Sequence, residues 1–294
     1  MGYAHIENLY RPDAQQVLLF KECYALEKIH GTSAHISWDE GALRFFSGGE
    51  SYECFCALFN TEELKAAFQK LEHPKVTVYG EAYGGKQQGM RLVYGPTLRF
   101  VAFDVLVGDA WLEVPKAAAV ADSLGLSFVP YSKVSTELVE LDAERDKPSE
   151  QSVRNGLLDG ATYNSSKREG VVLRPLIEVR TKSGSRICAK HKRADFIERK
   201  TNPRVVDPSR LEVLTEANAI ADEWVTEMRL AHVLDKLGNP TSLETVPAVI
   251  AAMLEDVTRE ASGEIKDSKE ARKAIGARTV KLYKALVTAF PKKE

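Results

Sequence analysis

Nowhere in the 294 residues does an uninterrupted apolar run approach the roughly 18 residues of a membrane-spanning helix. The opening stretch MGYAHIENLYRPDAQQ lacks the apolar centre of a secretory leader, and Ile6 stands where a myristoylation signal beginning at Gly2 would carry Ser or Thr. No targeting or anchoring is expected, and the expected location is cytoplasmic, or the host cytoplasm for a viral source. Cysteine is scarce: Cys23, Cys54, Cys56 and Cys188 are too few and too irregularly spaced for a disulfide framework or a paired CxxC zinc site. Charge of one sign is also missing. With 40 Lys and Arg against 42 Asp and Glu, the formal net charge is -2. That excludes a protein held to nucleic acid by bulk positive charge, but leaves local basic patches open.

What remains is the composition of a water-soluble globular protein, 44% hydrophobic and 28% charged. The length exceeds the roughly 100–200 residues of one domain, so a core domain with a smaller appendage is expected. From Val17 to Ser47 the chain reads as short β-runs (VLLF, ECYALEK, SAHISW, ALRFFS) broken by Gly31 and by an Asp39-Glu40-Gly41 turn. Thr61 caps a short helix over the following residues. KVTVYGEAY (75–83) and LRFVAFDVLV (98–107) are strands rich in β-branched and aromatic residues, separated by a glycine-rich loop. Helices are expected over Pro115–Gly125 and Glu150–Leu158, and strands in GVVLRP (170–175) and SRICAKHK (185–192).

After Lys200 the composition changes. The stretch 202–208 carries Pro203 and Pro208, and apolar residues then recur at helical spacing over Arg210–Leu237, Leu243–Ser262 and Ser268–Phe290. The expected fold is α+β: antiparallel sheets with flanking helices over 1–204, then a small all-helical domain over 208–294. On its last helix Lys266, Lys269, Lys273 and Lys284 fall roughly on one side, which reads either as a solvated face or as a phosphate-contacting one.

Chemistry centres on Glu27-Lys28-Ile29-His30-Gly31-Thr32, where a strand should end and the glycine would let a nucleotide approach closely. Alone, a KxxG string is common. Here it is followed in order by Phe103-Asp104, closing an apolar run; by Glu169-Gly170-Val171-Val172, opening a strand; and by Lys190-His191-Lys192, two cations on one strand face. Taken singly, each has a bland reading. Phe103 reads as core, and Glu81 and Glu169 as strand-end carboxylates. Arg44 reads as the cross-strand partner of an acid, Lys190 and Lys192 as the face of an edge strand, and His30 as a hydrogen-bonded turn histidine.

Together, over roughly residues 20–195, these motifs resemble those of the covalent nucleotidyltransferases, the superfamily of polynucleotide ligases and mRNA capping enzymes. EKIHGT is similar to the first motif of the RNA ligase 2 family, in which His stands where DNA ligases and capping enzymes usually carry Asp. Ser33 and Leu43 depart from the family pattern, which usually has Asn and a basic residue there.

The resemblance implies an ATP-dependent RNA ligase that joins 3′-OH and 5′-phosphate ends at nicks in duplex RNA or RNA–DNA hybrids. Lys28 would carry the AMP. A free lysine is protonated at neutral pH, so Lys190 and Lys192 would favour the free amine and neutralise the triphosphate, with His30 beside them as a catalytic residue. Glu27, Arg44 and Glu81 would bind the nucleotide, with Glu81 on the ribose hydroxyls, and Phe103 would stack on adenine. Glu169 would be the metal carboxylate, for Mg²⁺ or alternatively Mn²⁺. RNA is the expected partner and a monomer the expected state. The alternatives are an RNA-capping guanylyltransferase, disfavoured by His30 and by helices where an OB barrel would stand, and a catalytically silent nucleic-acid-binding relative.

Overall fold

The computed structural model describes residues 2–156, 167–193, 196 and 216–289. The chain divides into two compact units, Met1–Arg193 and Ala194–Glu294. The boundary expected between 204 and 208 lies outside the described residues.

The first unit is built on two antiparallel sheets. Its strands are β1 (Glu22–Lys28), β2 (Thr32–Asp39), β3 (Ala42–Ser47), β4 (Lys75–Gly84), β5 (Leu98–Val107), β6 (Ala110–Trp111), β7 (Tyr131–Ser135), β8 (Gly170–Pro175) and β9 (Ala189–Lys192). One sheet has the order β7-β1-β8-β9, the other β3-β2-β4-β5-β6. Strand β2 alternates strictly, with Ala34, Ile36 and Trp38 buried between more exposed neighbours, as a strand with one face on a core should. Leu26 and Ile29 from the β1 side join Ile36, Val78, Val101 and Val105 of the other sheet in one core, which Ala117 and Ala121 of helix Val114–Ser123 also enter.

The expected fold class holds: antiparallel sheets with flanking helices, followed by a helical region. Several local expectations do not. VLLF is not a strand but part of a 3-10 turn, Gln15–Leu19, in which only Val17 is buried and Leu19 is 84% exposed. Its amides are satisfied locally, Val17 by Ala14 O and Phe20 by Val17 O, so no sheet edge is needed. The cap of helix Thr61–Lys70 is Asn60, whose side chain accepts from Glu63 N; Asn and Thr are both good caps, and Asn60 precedes the helix by the one residue that capping requires. Phe103-Asp104 lies inside β5 and does not close it. The strand expected over 185–192 is confined to Ala189–Lys192, because residues before it close a hairpin-like loop through Thr181 N to Ser185 O. The helix expected over Glu150–Leu158 covers Glu150–Arg154, and residues 157 and 158 lie outside the described residues.

In the second unit, helices Ala217–Trp224, Glu227–Lys236, Val246–Glu260 and Lys269–Ala289 bury Trp224, Leu230, Met253, Val257, Ile275 and Tyr283 together. The single helix expected over Arg210–Leu237 breaks at Val225 because Thr226 caps a new helix, its side chain accepting from Arg229 N. Lys266, Lys269, Lys273 and Lys284 are all exposed. Among the described residues no helix is long and apolar enough to cross a membrane.

Candidate active site

Three neighbouring strands of the first sheet bring distant motifs together. Lys28, last in β1, stands opposite Gly170 at the start of β8, and Gly170 stands opposite Lys192 at the end of β9. Lys190 pairs with Val172, two residues along, so both lysines project from the same face of β9. The β8–β9 approach depends on Gly170: a Cβ there would fall 2.2 Å from the carbonyl oxygen of His191 and 2.8 Å from Lys192 Cα.

At this junction Glu169 is 1% exposed and surrounded by cations. Its Oε2 receives Lys28 Nζ at 2.9 Å and faces His30 Nδ1 at 3.2 Å, while Oε1 lies 3.0 Å from Lys192 Nζ. Burial by itself would push the Glu169 carboxyl up. Lys28, Lys192 and His30 together override that and hold it well below the usual carboxylate range. His30 is fixed through its backbone, whose N–H donates to the hydroxyl of the fully buried Tyr94 at 3.3 Å.

The second sheet contributes Glu81, in register with Ser33 across β2 and β4. Gly31 N–H donates to Glu81 Oε1 at 3.1 Å. The role of Gly31 differs from the expected one. A Cβ at that position would fall 2.4 Å from Ala82 O and 2.9 Å from Tyr83 Cβ, so the glycine admits the backbone of β4. Burial pushes the Glu81 carboxyl up to about 7, with Lys28 opposing the rise and Glu169 adding to it.

The linkage for Glu81 has a definite sign. Its folded value lies above its ordinary one, so its contribution to stability is full below the ordinary carboxyl range and is lost as pH rises through about 7. Urea unfolding at about pH 5 and about pH 8 should therefore show the wild type losing more stability over this interval than Glu81→Gln. Equal losses in the two proteins would rule out Glu81 as the titrating group.

Lys28, Glu81 and Lys190 border a cavity of about 240 Å³ lined also by Phe103 and by apolar Leu26 and Val172. Glu27 also lines it, but its carboxylate is engaged elsewhere. It accepts from Ser149 Oγ at 2.6 Å and from the backbone N–H groups of Glu150 at 2.9 Å and Gln151 at 3.2 Å, at the N-terminus of helix Glu150–Arg154. Burial raises its carboxyl above the usual range, against the pull of Arg168 and those donors. Arg44 is not brought to this cavity. It projects from β3 with its side chain 68% exposed, 3.6 Å from Asp39.

Sequence reasoning missed Tyr94, Arg174 and the segment around Tyr3, although Arg174 and Tyr3 line the cavity. One signal could have revealed Arg174. Asp104 is a lone acid in the apolar strand LRFVAFDVLV, and a buried carboxylate requires cationic partners. It finds Arg174 Nη1 at 2.9 Å and Arg186 Nη1 at 2.6 Å.

Among the described residues no three His, Cys, Asp or Glu side chains converge as a closed metal site. Glu169 and Glu81 are two carboxylates close enough to influence each other's ionisation, and carboxylate oxygens are the donors that a hard cation takes together with phosphate oxygens and water.

A protein-family model described as RNA ligase matches residues 21–192. No curated protein matches the chain. Among solved structures, a Naegleria gruberi RNA ligase variant with ATP and Mn is similar at a TM-score of 0.51 and 14% identity, over 67% of this chain and 57% of that one. A second variant of that ligase with ATP and Mn gives 0.51 and 15% over the same shares. The Naegleria gruberi RNA ligase with PPi gives 0.50 and 15%, over 65% and 56%. The chain thus spans a little over half the length of these proteins, and at this identity the likeness is one of fold.

Proposed function

The chain belongs to the RNA ligase family, and from that premise we propose that it is an ATP-dependent enzyme joining RNA 3′-OH and 5′-phosphate ends through a lysyl-AMP intermediate on Lys28. The observation that carries this reading is the placement of Lys28 Nζ, 2.9 Å from a buried glutamate, at the edge of a cavity lined also by Phe103 and Lys190.

In the first transfer, the Lys28 amine forms a bond to the α-phosphorus of ATP as the bond from that phosphorus to the bridging oxygen of pyrophosphate breaks. Attack needs the free amine, so the Lys28–Glu169 pair separates and the ammonium releases its proton to solvent before the bond to phosphorus forms. Lys192 and the His30 ring remain beside Glu169. Lys190 and Lys192 stabilise the negative charge that builds on the phosphoryl oxygens and on departing pyrophosphate. Phe103 offers a flat apolar face to adenine, and Glu81 an acceptor for ribose hydroxyls. A divalent cation, Mg²⁺ or Mn²⁺, held through Glu169 with phosphate oxygens and water, would neutralise triphosphate charge and polarise the α-phosphate.

In the second transfer the AMP phosphorus leaves Lys28 for an oxygen of an RNA 5′-phosphate. In the third, a 3′-OH attacks that 5′-phosphorus and expels AMP. Nicks in duplex RNA or RNA–DNA hybrids are the proposed substrate, with the exposed lysines of helix Lys269–Ala289 as candidate phosphate contacts.

Incubation with Mg²⁺ and α-labelled ATP or GTP, followed by a denaturing gel, tests the reading. Label from ATP is expected on the protein, with release to AMP on addition of a nicked RNA duplex. Label from GTP alone would make the chain a capping-type guanylyltransferase. No label from either would make it a binding protein and sink the ligase assignment.

A further inference from the structure

The segment before β1 is fastened to both sheets. At one end the Tyr3 ring packs against residues of the second sheet, its centroid 5.2 Å from Tyr79, 5.0 Å from Phe103 in an edge-on contact and 5.5 Å from Trp111. Its hydroxyl donates to Asp104 Oδ2 at 2.7 Å and accepts from Arg186 Nη1 at 3.2 Å. At the other end Asn8 bridges in parallel to Lys190 of the first sheet. There Lys190 N–H donates to Glu7 O, and Leu9 N–H donates to Lys190 O, both at 2.9 Å. Between these anchors the chain must cross from one sheet to the other, and Tyr3, Ala4, His5 and Ile6 line the same cavity as Lys28 and Phe103.

At each end one attachment falls on a residue that the proposed chemistry uses. Tyr3 presses edge-on against Phe103, the aromatic face offered to the base, and the 7–9 stretch fixes the backbone of Lys190, one of the two phosphate-facing cations. A floppy connection would need neither a four-ring cluster nor a buried hydroxyl between a carboxylate and a guanidinium.

We infer that residues Tyr3–Leu9 form a strap that serves as a wall of the nucleotide site, with Tyr3 a positioning residue for Phe103 and Ala4 a part of the wall that bounds the space for the bound nucleotide. This rests on the nucleotide site proposed above. The strap governs how tightly ATP is held, and it leaves the reaction of Lys28 with bound ATP largely unchanged.

The test uses the full chain and measures the rate of labelling by α-labelled ATP as a function of ATP concentration. Tyr3→Ala should raise KM for ATP about tenfold while the saturated rate stays within about threefold of wild type, and Tyr3→Phe, which keeps the ring, should restore most of the affinity. Ala4 is exposed, so Ala4→Trp adds bulk to the cavity without disturbing the core, and should raise KM by about tenfold or more. Should Tyr3→Ala fail to fold, Ala4→Trp decides the matter. Wild-type labelling with KM within about twofold in both Ala4→Trp and Tyr3→Ala would overturn the strap and leave the ligase reading intact. So would a fall in the saturated rate with KM unchanged. Absence of label on the wild type would remove the ligase reading, and the strap with it.

Discussion

Lys28→Ala should take up no label from α-labelled ATP, a loss of at least about a thousandfold in the rate of protein adenylylation. Its folded stability should nevertheless stay close to wild type. The first expectation follows from covalency: the AMP is carried on the attacking nitrogen itself, so deleting that nitrogen deletes the bond. The second follows from the surroundings of Glu169. Removing Lys28 takes away one of two lysine contacts from a buried carboxylate, but the His30 ring nitrogen and Lys192 remain on its two oxygens. Gel labelling and a urea melt on the same preparation provide the check. Label retained at the wild-type level would show that the nucleophile is another residue. If RNA carrying an adenylylated 5′-end is supplied, the variant should still seal it, because the third transfer does not pass through Lys28.

A second large effect is expected away from the nucleophile. Asp104→Ala should lower the free energy of unfolding by about 3–5 kcal/mol. Asp104 is fully buried, its Oδ1 accepts from Arg174 Nη1, and its Oδ2 accepts from Arg186 Nη1 and from Tyr3 OH. Truncation leaves Arg174, 2% exposed, with Glu178 and the carbonyl of Leu112 as its remaining partners. The cost comes from stranding buried positive charge, and greatly exceeds the value of a single surface pair. Chemical denaturation measures it directly, and a loss below about 1 kcal/mol would mean that Glu178 alone neutralises the cluster.

Much of the first unit was legible in the sequence. Strands such as LRFVAFDVLV were bounded correctly because a run rich in β-branched and aromatic residues stands between a glycine-rich loop and Gly108. Lys28, Glu169 and Lys192 could be nominated from motif order, since each lies at or beside a strand end where a side chain can leave the sheet and meet others. VLLF misled because four apolar residues in a row carry no period: the run suits a strand and a short turn equally, and only the absence of a pairing edge decides between them. Thr226 is a good cap in the middle of an apolar helical pattern, and the pattern concealed it.

The positions of Glu27 and Arg44 show the limit of motif order. Both were nominated beside the nucleotide. Spacing cannot tell whether a carboxylate next to Lys28 points into a cavity or caps a helix more than 120 residues away, as Glu27 does through Ser149, Glu150 and Gln151. Nor can it tell which face of a hairpin Arg44 takes relative to a site on another strand pair.

The sequence by itself determined the antiparallel-sheet and helical architecture and the order of the RNA ligase motifs, because periodicity and motif order are properties of the chain read in one dimension. Tertiary structure alone decided which cations surround Glu169, that Asp104 draws together Tyr3, Arg174 and Arg186, and that the first residues of the chain strap the cavity. Each of these depends on strands far apart in sequence becoming neighbours, and on burial leaving charged groups no solvent to pair with.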